Sequence, residues 1–154
     1  MIDKKLPFIS KGEILDLLPH RDPMLLIDSL YNIKPMKSAL GHLKLTNDKF
    51  FLQGHFPEQP VMPGVMIVES FGQAAAALAA YSIDKKEVEG KLVFLMSVQN
   101  ARFRKPVVPP CDLYLKCNVD KIKGKIWKYK GIAYCNNEKM ADAEWMATIV
   151  DRND

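Results

Sequence analysis

Residues 64–82 read GVMIVESFGQAAAALAAYS. The alanine-rich half has the strongest helix propensity, and Pro63 just ahead of the apolar run marks a helix start. The stretch predicts one long helix from Gly64 to about Ser82. It is apolar nearly all round, so it has to be covered on most sides. A membrane span takes about 20 apolar residues, but Glu69, Ser70 and Gln73 interrupt this run and no aromatic or basic flanks bracket it. The reading is a core helix with no membrane partner.

The rest of the chain supplies the cover. Downstream, the period of the pattern changes to two. Leu113, Leu115, Cys117 and Val119 alternate with polar residues, Trp127, Tyr129 and Ala133 share a face, and so do Ala141, Ala143, Trp145, Ala147 and Ile149. Period two means half-buried strands, and KIKGK and CNNEK between them read as hairpin turns. With KLVFLMSVQNARF ahead of them, about four antiparallel strands are expected. Upstream, residues 10–18 predict a short helix capped by Ser10 with Glu13 three residues on, and two strands are expected near 24–33 and 36–46. The fold class is α+β, a long antiparallel sheet packed against one apolar helix. The whole chain, 1–154, reads as one domain, with loose ends at about 1–5 and 151–154.

Composition narrows the function classes. The chain has 154 residues, 48% hydrophobic and 26% charged, which is ordinary globular composition. A net charge of +4 favours acidic partners without requiring nucleic acid. The segment KIKGKIWKYK mixes base and aromatic residues as RNA binders do, but its alternation puts Trp127 and Tyr129 on one face and lysines on the other. That fits sheet packing, and no nucleic-acid partner is expected. Cys111, Cys117 and Cys135 lack CxxC spacing, which argues against disulfides or zinc. With no apolar segment in MIDKKLPFIS, no secretory signal is read, and a reducing, cytoplasmic setting is expected.

The chemistry concentrates just ahead of the helix, in GHFPEQPVMPGVMIVES, residues 54–70. Proline fixes φ and removes a donor, so Pro57, Pro60 and Pro63 make the segment a stiff extended crossing. His55 stands at one end of it. At the other end, the helix N-terminus offers unpaired N–H groups and partial positive charge suited to an oxyanion. Gly64 supplies one such N–H, and its missing side chain is expected to leave room for a substrate carbonyl. Glu69 is set among Val65, Met66, Ile67, Val68 and Phe71, where desolvation favours the protonated acid. It either donates a proton or merely bonds Gln73 one turn on. Glu58 sits on a polar loop and is expected to be exposed. His20, in PHRDP, is expected to bond the local backbone, and His42 to be solvated. Neither has a second ligand at metal spacing. No GxSxG occurs, and Ser70 points elsewhere. An imidazole, a carboxylic acid and a backbone oxyanion donor suit removal of a proton α to a carbonyl with loss of a β-hydroxyl.

The stretches LPHRDPMLLID, GHFPEQPVMPGVMIVESFGQ and ARFRKPVVP resemble, in order, the signatures of the bacterial 3-hydroxyacyl-acyl-carrier-protein dehydratases of the FabZ type. The resemblance implies a hot-dog fold and dehydration of (3R)-hydroxyacyl-acyl-carrier protein to the trans-2-enoyl product in type II fatty acid synthesis. It implies His55 and Glu69 as the catalytic pair, drawn from opposite subunits of a homodimer, with further association into a hexamer, a trimer of dimers. It places Gly64 as the oxyanion donor and Gln73 as the residue that orients Glu69. Phe56, Pro63 and Val65 are expected to border the substrate, and Arg102, Arg104 and Lys105 to meet the acidic carrier protein. Arg102 and Arg104 share a face opposite Phe103. No metal or redox cofactor is expected, because the phosphopantetheine arm arrives with the substrate. Glutamate rather than aspartate at 69 favours the plain dehydratase over relatives that also isomerise the double bond. Two stretches depart from the family pattern. Ser97-Val98-Gln99 stands where GID is usual, on a strand expected near the acyl chain, and Val108-Pro109-Pro110-Cys111 stands where VPGD is usual.

Two rivals stay open on the residues alone. A thioesterase on the same fold would need a water or carboxylate arrangement that gives HFP no clear role. A non-catalytic acyl-thioester-binding module would leave His55 and Glu69 dispensable.

Overall fold

In the computed structural model, described over residues 1–152, the predicted helix is α2, Gly64–Ser82. A six-stranded antiparallel sheet lies over it, in the order β1 (Ser29–Lys34), β2 (Ser38–Leu45), β4 (Cys111–Lys123), β5 (Ile126–Cys135), β6 (Glu138–Asp151), β3 (Lys91–Phe103). This is the hot-dog arrangement. By length and composition α2 would also cross a membrane, but Ile67, Phe71 and the run Ala74–Ala79 lie buried beneath the sheet. The alanines at 74–77 and 79 let the helix backbone sit close to the strands.

The expected alternation sets the inner face. Leu113, Leu115, Cys117, Trp127, Tyr129, Ala133, Ala141, Ala143 and Trp145 are all buried. Two-residue turns, Gly124-Lys125 and Asn136-Asn137, join β4 to β5 and β5 to β6. Asn136 and Asn137 both have positive φ, 51° and 62°, as a type I′ hairpin turn requires. Helix α1, Lys11–Leu17, carries the capping box formed by Ser10 and Glu13 and buries Ile14.

The structure departs from three expectations and adds one element. β1 begins at Ser29, not 24: residues 25–27 are buried, yet their backbone lies outside the sheet. The N-terminus is tied down, since Asp3 N–H donates to Asn32 Oδ1 at 2.8 Å and Asn32 Nδ2 donates to Met1 O at 2.8 Å. Asp151 ends β6, paired with Lys91, while residues 153–154 of the expected loose end fall outside the described residues. A short helix, α3 (Lys85–Val88), capped by Asp84, follows α2 unforeseen.

The two edges of the sheet differ. β1 is partly covered by Ile9, whose N–H donates to Leu30 O at 2.9 Å and whose carbonyl accepts from Leu30 N at 3.1 Å. β3 has no strand on its far side among the described residues, and Phe94, Leu95 and Met96 on it are about half exposed.

Candidate functional site

The proline-braced crossing holds His55 through its own backbone. Val61 N–H donates to His55 O at 2.8 Å, and His55 Nδ1 lies 2.7 Å from Val61 O. A carbonyl only accepts, so Nδ1 carries the proton and Nε2 keeps a lone pair. The ring stacks on Phe56 at 4.3 Å, and the His55–Phe56 peptide is cis. Met62 N–H donates to Val107 O at 2.9 Å, which fastens the crossing to the segment after β3. Glu58 is exposed, as expected.

Gly64 and Val65 open α2, at positions whose N–H groups have no carbonyl one turn back. Together with His55, Pro63 and Phe103 they line an open groove of about 480 Å³. The room expected beside Gly64 is already filled. A Cβ there would lie 2.9 Å from the Phe103 ring, so glycine admits the ring edge and the free N–H is what remains for a ligand. Val65 and Phe56 are exposed apolar residues on this side, 74% and 54%.

Glu69 lies on another surface of the chain. With His20, Gln73 and Trp145 it borders a separate cavity of about 60 Å³. Gln73 is buried and fully used: its Nε2 donates to Glu69 Oε1 at 3.0 Å and to Met24 O at 2.7 Å, and its Oε1 accepts Leu26 N–H at 2.8 Å. Glu69 is about 34% exposed, so the desolvation expected of it is not reached within one chain. Ser70 turns back to Met66 O at 2.7 Å.

Sequence reasoning missed His20. Its Nε2 lies 3.7 Å from Glu69 Oε1, and its Nδ1 is buried without a partner, so the local backbone bond expected for it is not formed. Burial holds the imidazole below its ordinary range, with Glu69 pulling it upward and Arg21 pushing it down. Its place follows from Gln73, which pins residues 24 and 26 onto α2. The signal in the sequence was LPHRDPMLLID itself. His42 is likewise not solvated. Its Nε2 lies 2.8 Å from Asp112 Oδ1 and its ring stacks on Tyr114 at 5.0 Å.

Of the basic segment, Arg104 Nε donates to Asp142 Oδ2 at 2.6 Å and Lys105 pairs with Glu138. β3 ends at Phe103, yet Arg102 and Arg104 still border one shallow depression with Lys130 and Lys139. Ser97-Val98-Gln99 lies between two register shifts of β3 against β6 and does not line the cavity beside Glu69. The three cysteines are free thiols. Burial, with Cys135 alongside, pushes the Cys111 thiol up to about 12, and burial raises Cys117 too, which leaves neither as a ready nucleophile. Among the described residues no cluster of His, Cys, Asp and Glu forms a metal site.

Residues 18–144 match the family described as FabA-like domain. The chain is 45% identical to the 3-hydroxyacyl-acyl-carrier-protein dehydratase FabZ of Anaeromyxobacter sp. (strain K), covering 95% of this chain and 94% of that one. It is also 45% identical to the dehydratase of the same name from Myxococcus xanthus (strain DK1622), covering 92% of each. Among solved structures it resembles the dehydratase heterocomplex ApeI:P from Xenorhabdus doucetiae, with TM-score 0.79 and 16% identity over 91% of this chain and 92% of that one. Cj0977, a sigma28-regulated virulence protein from Campylobacter jejuni, aligns with TM-score 0.66 and 14% identity over 90% and 96%. Those two likenesses speak to the fold alone. Given a family match across most of its length and sequence relatives that span nearly all of it, the chain belongs to the FabA-like family, among the FabZ-type 3-hydroxyacyl-acyl-carrier-protein dehydratases, and is a hydro-lyase.

Proposed function

We propose that this protein converts (3R)-hydroxyacyl-acyl-carrier protein to the trans-2-enoyl form in type II fatty acid synthesis, at a site shared between two copies of the chain. The observation that carries the shared site is that His55 and Glu69 line separate depressions of one chain. The bare apolar edge of β3, with Phe56 and Val65 exposed beside the groove, supports pairing of copies. Further association into a trimer of such dimers belongs to the same reading.

His55 Nε2 takes the proton from C2. The electron pair forms the C2–C3 double bond, and the C3–O bond breaks as Glu69 of the second copy delivers its proton to the departing hydroxyl, releasing water. Charge that builds on the thioester oxygen falls to the free N–H groups at the start of α2, Gly64 first. Gln73 holds one oxygen of Glu69 and leaves the other for the substrate. Phe56, Pro63 and Val65 border the bound acyl thioester. The elimination is redox-neutral and needs only proton transfer, so the reading calls for no cofactor beyond the phosphopantetheine that carries the substrate. Arg102, Arg104 and Lys105 offer positive charge to the acidic carrier protein. Three free thiols suit a reducing, cytoplasmic setting.

Purified protein is expected to interconvert 3-hydroxyacyl and enoyl thioesters, followed by enoyl absorbance, without release of free thiol. Thiol release with no enoyl change overturns the reading in favour of thioester cleavage. His55→Ala and Glu69→Gln chains, each inactive alone, are expected to recover part of the activity when mixed. No recovery despite confirmed subunit exchange overturns the shared site.

A further inference from the structure

Glu69 Oε1 has two polar neighbours. Gln73 Nε2 donates to it at 3.0 Å, and His20 Nε2 lies 3.7 Å from it. Both contacts are made within one chain, so neither depends on how copies pair. An amide cannot change its charge, whereas an imidazole can.

Among the described residues, the charged groups acting on His20 are Glu69 on α2 and Arg21 beside it in the chain. The Arg21 guanidinium is already engaged by the carbonyls of Leu15, Leu18 and His20, at 3.1, 2.8 and 2.7 Å. From β3 and β6 the depression receives Val93, Leu95, Trp145 and Ala147, none of which titrates. On the reading above, His55 of the second copy is the remaining titratable group that faces Glu69.

A neutral imidazole carries one N–H. On Nε2 that proton faces the carboxylate, while Nδ1 is buried without a partner in its own chain. A second proton therefore puts an N–H on Nδ1 with nothing in its own chain to accept it, and an unsatisfied buried donor is costly. Partial burial, the largest influence, keeps the ring neutral to lower pH than an ordinary imidazole, with Glu69 drawing the other way and Arg21 adding to it.

Resting on the dehydratase reading above, we propose that His20 is a positioning residue that steadies Glu69 while neutral and switches the acid off when it becomes a cation. A cation beside Oε1 favours the carboxylate, and a carboxylate has no proton to deliver to the departing hydroxyl. Acid thus inhibits through His20 as well as through His55, whose base is lost when Nε2 is protonated.

The test is the pH dependence of kcat/KM for hydration of an enoyl thioester from about pH 8 to about pH 5, corrected for the folded fraction by circular dichroism. Wild type is expected to show an inflection below the ordinary imidazole range that His20→Gln lacks, with a fall across it of about threefold to tenfold, as fits a partly screened charge pair. At about pH 8, where an imidazole is neutral, His20→Gln is expected to stay near wild type because its amide can replace the neutral contact, and His20→Ala to lose more in kcat than in KM. His42→Gln removes an imidazole that also adjoins a carboxylate, Asp112 at 2.8 Å, but does not border this depression, and is expected to keep the inflection. In folded wild type, the imidazole NMR signals of His20 are expected to titrate at the pH of the inflection, a reading that needs no variant. Parallel profiles in wild type and His20→Gln overturn the proposal, as do loss of the inflection in His42→Gln and titration of His20 at another pH. Folded wild type that hydrates no enoyl thioester at any pH overturns the dehydratase reading itself, and the switch with it.

Discussion

Gln73 donates its amide N–H to Glu69 Oε1 across 3.0 Å, one helical turn along α2, from a side chain that is itself buried. The same amide accepts Leu26 N–H and donates to Met24 O. One side chain thus orders the carboxylate and the segment that crosses it.

Gln73→Ala leaves the buried Leu26 N–H and the part-buried Met24 carbonyl without their partner, at about 1–3 kcal/mol for each unsatisfied group. We expect a loss of about 2–4 kcal/mol in chemical denaturation with an unchanged slope, and a larger fall in kcat than in stability-corrected KM. A loss under about 0.5 kcal/mol shows that water replaces the amide.

His20 makes stability depend on pH. Its folded-state pKa lies below the ordinary imidazole value of 6.5 because the ring is partly buried, so between the two values the unfolded chain binds more protons. Stability is unaffected above that range, falls as pH drops through the ordinary imidazole value, and levels off below the folded one. In His20→Asn this slope disappears. Denaturation midpoints from about pH 8 to pH 5 are expected to show the wild type losing ground against the variant on acidification. Parallel curves contradict the assignment.

Asp142 acts in the opposite sense. The hydrogen bond from Arg104, with Lys139 at 3.3 Å, holds its carboxyl below the usual range. That stability is present above the unfolded carboxylate pKa and is lost as pH falls through the depressed folded value. Asp142→Asn is expected to cost about 0.5–1 kcal/mol near neutral pH, as befits a partly exposed pair, and nothing in strong acid. A difference that persists at the lowest pH points to packing instead.

Gly131→Ala forces a methyl group against rigid stacked rings, 2.7 Å from the Trp145 indole and 2.8 Å from Phe71. Overpacking of this kind costs about 1–3 kcal/mol. The variant is expected to unfold earlier, with near-ultraviolet circular dichroism altered as the ring stack shifts. Wild-type stability in this variant means that the strand moves aside without penalty.

Much of this was legible in the sequence because the signals were local. Pro63 ahead of the apolar run set the start of α2, and paired asparagines set the turn between β5 and β6. The miss at 24–28 has a physical reason. Leu25, Leu26 and Ile27 are buried as strand residues are, but burial does not say where a backbone N–H will bond. Leu26 uses the Gln73 amide, and Met24 and Leu25 donate to Arg21 O. LPHRDPMLLID marked the segment but not the contact of His20 with Glu69, which is set by how the segment after α1 crosses α2. Trp145 was legible as a core residue, whereas its place on the wall of the depression beside Glu69 depends on α2, β3 and β6 meeting there.

The open side of β3 also bears on the life of the newly made chain. Until something covers it, a strand with free N–H and C=O groups and half-exposed Phe94, Leu95 and Met96 is a template for any extended segment nearby. Substitutions that keep this strand bare are therefore expected to appear first as insoluble protein in cell extracts, before any effect on turnover can be measured.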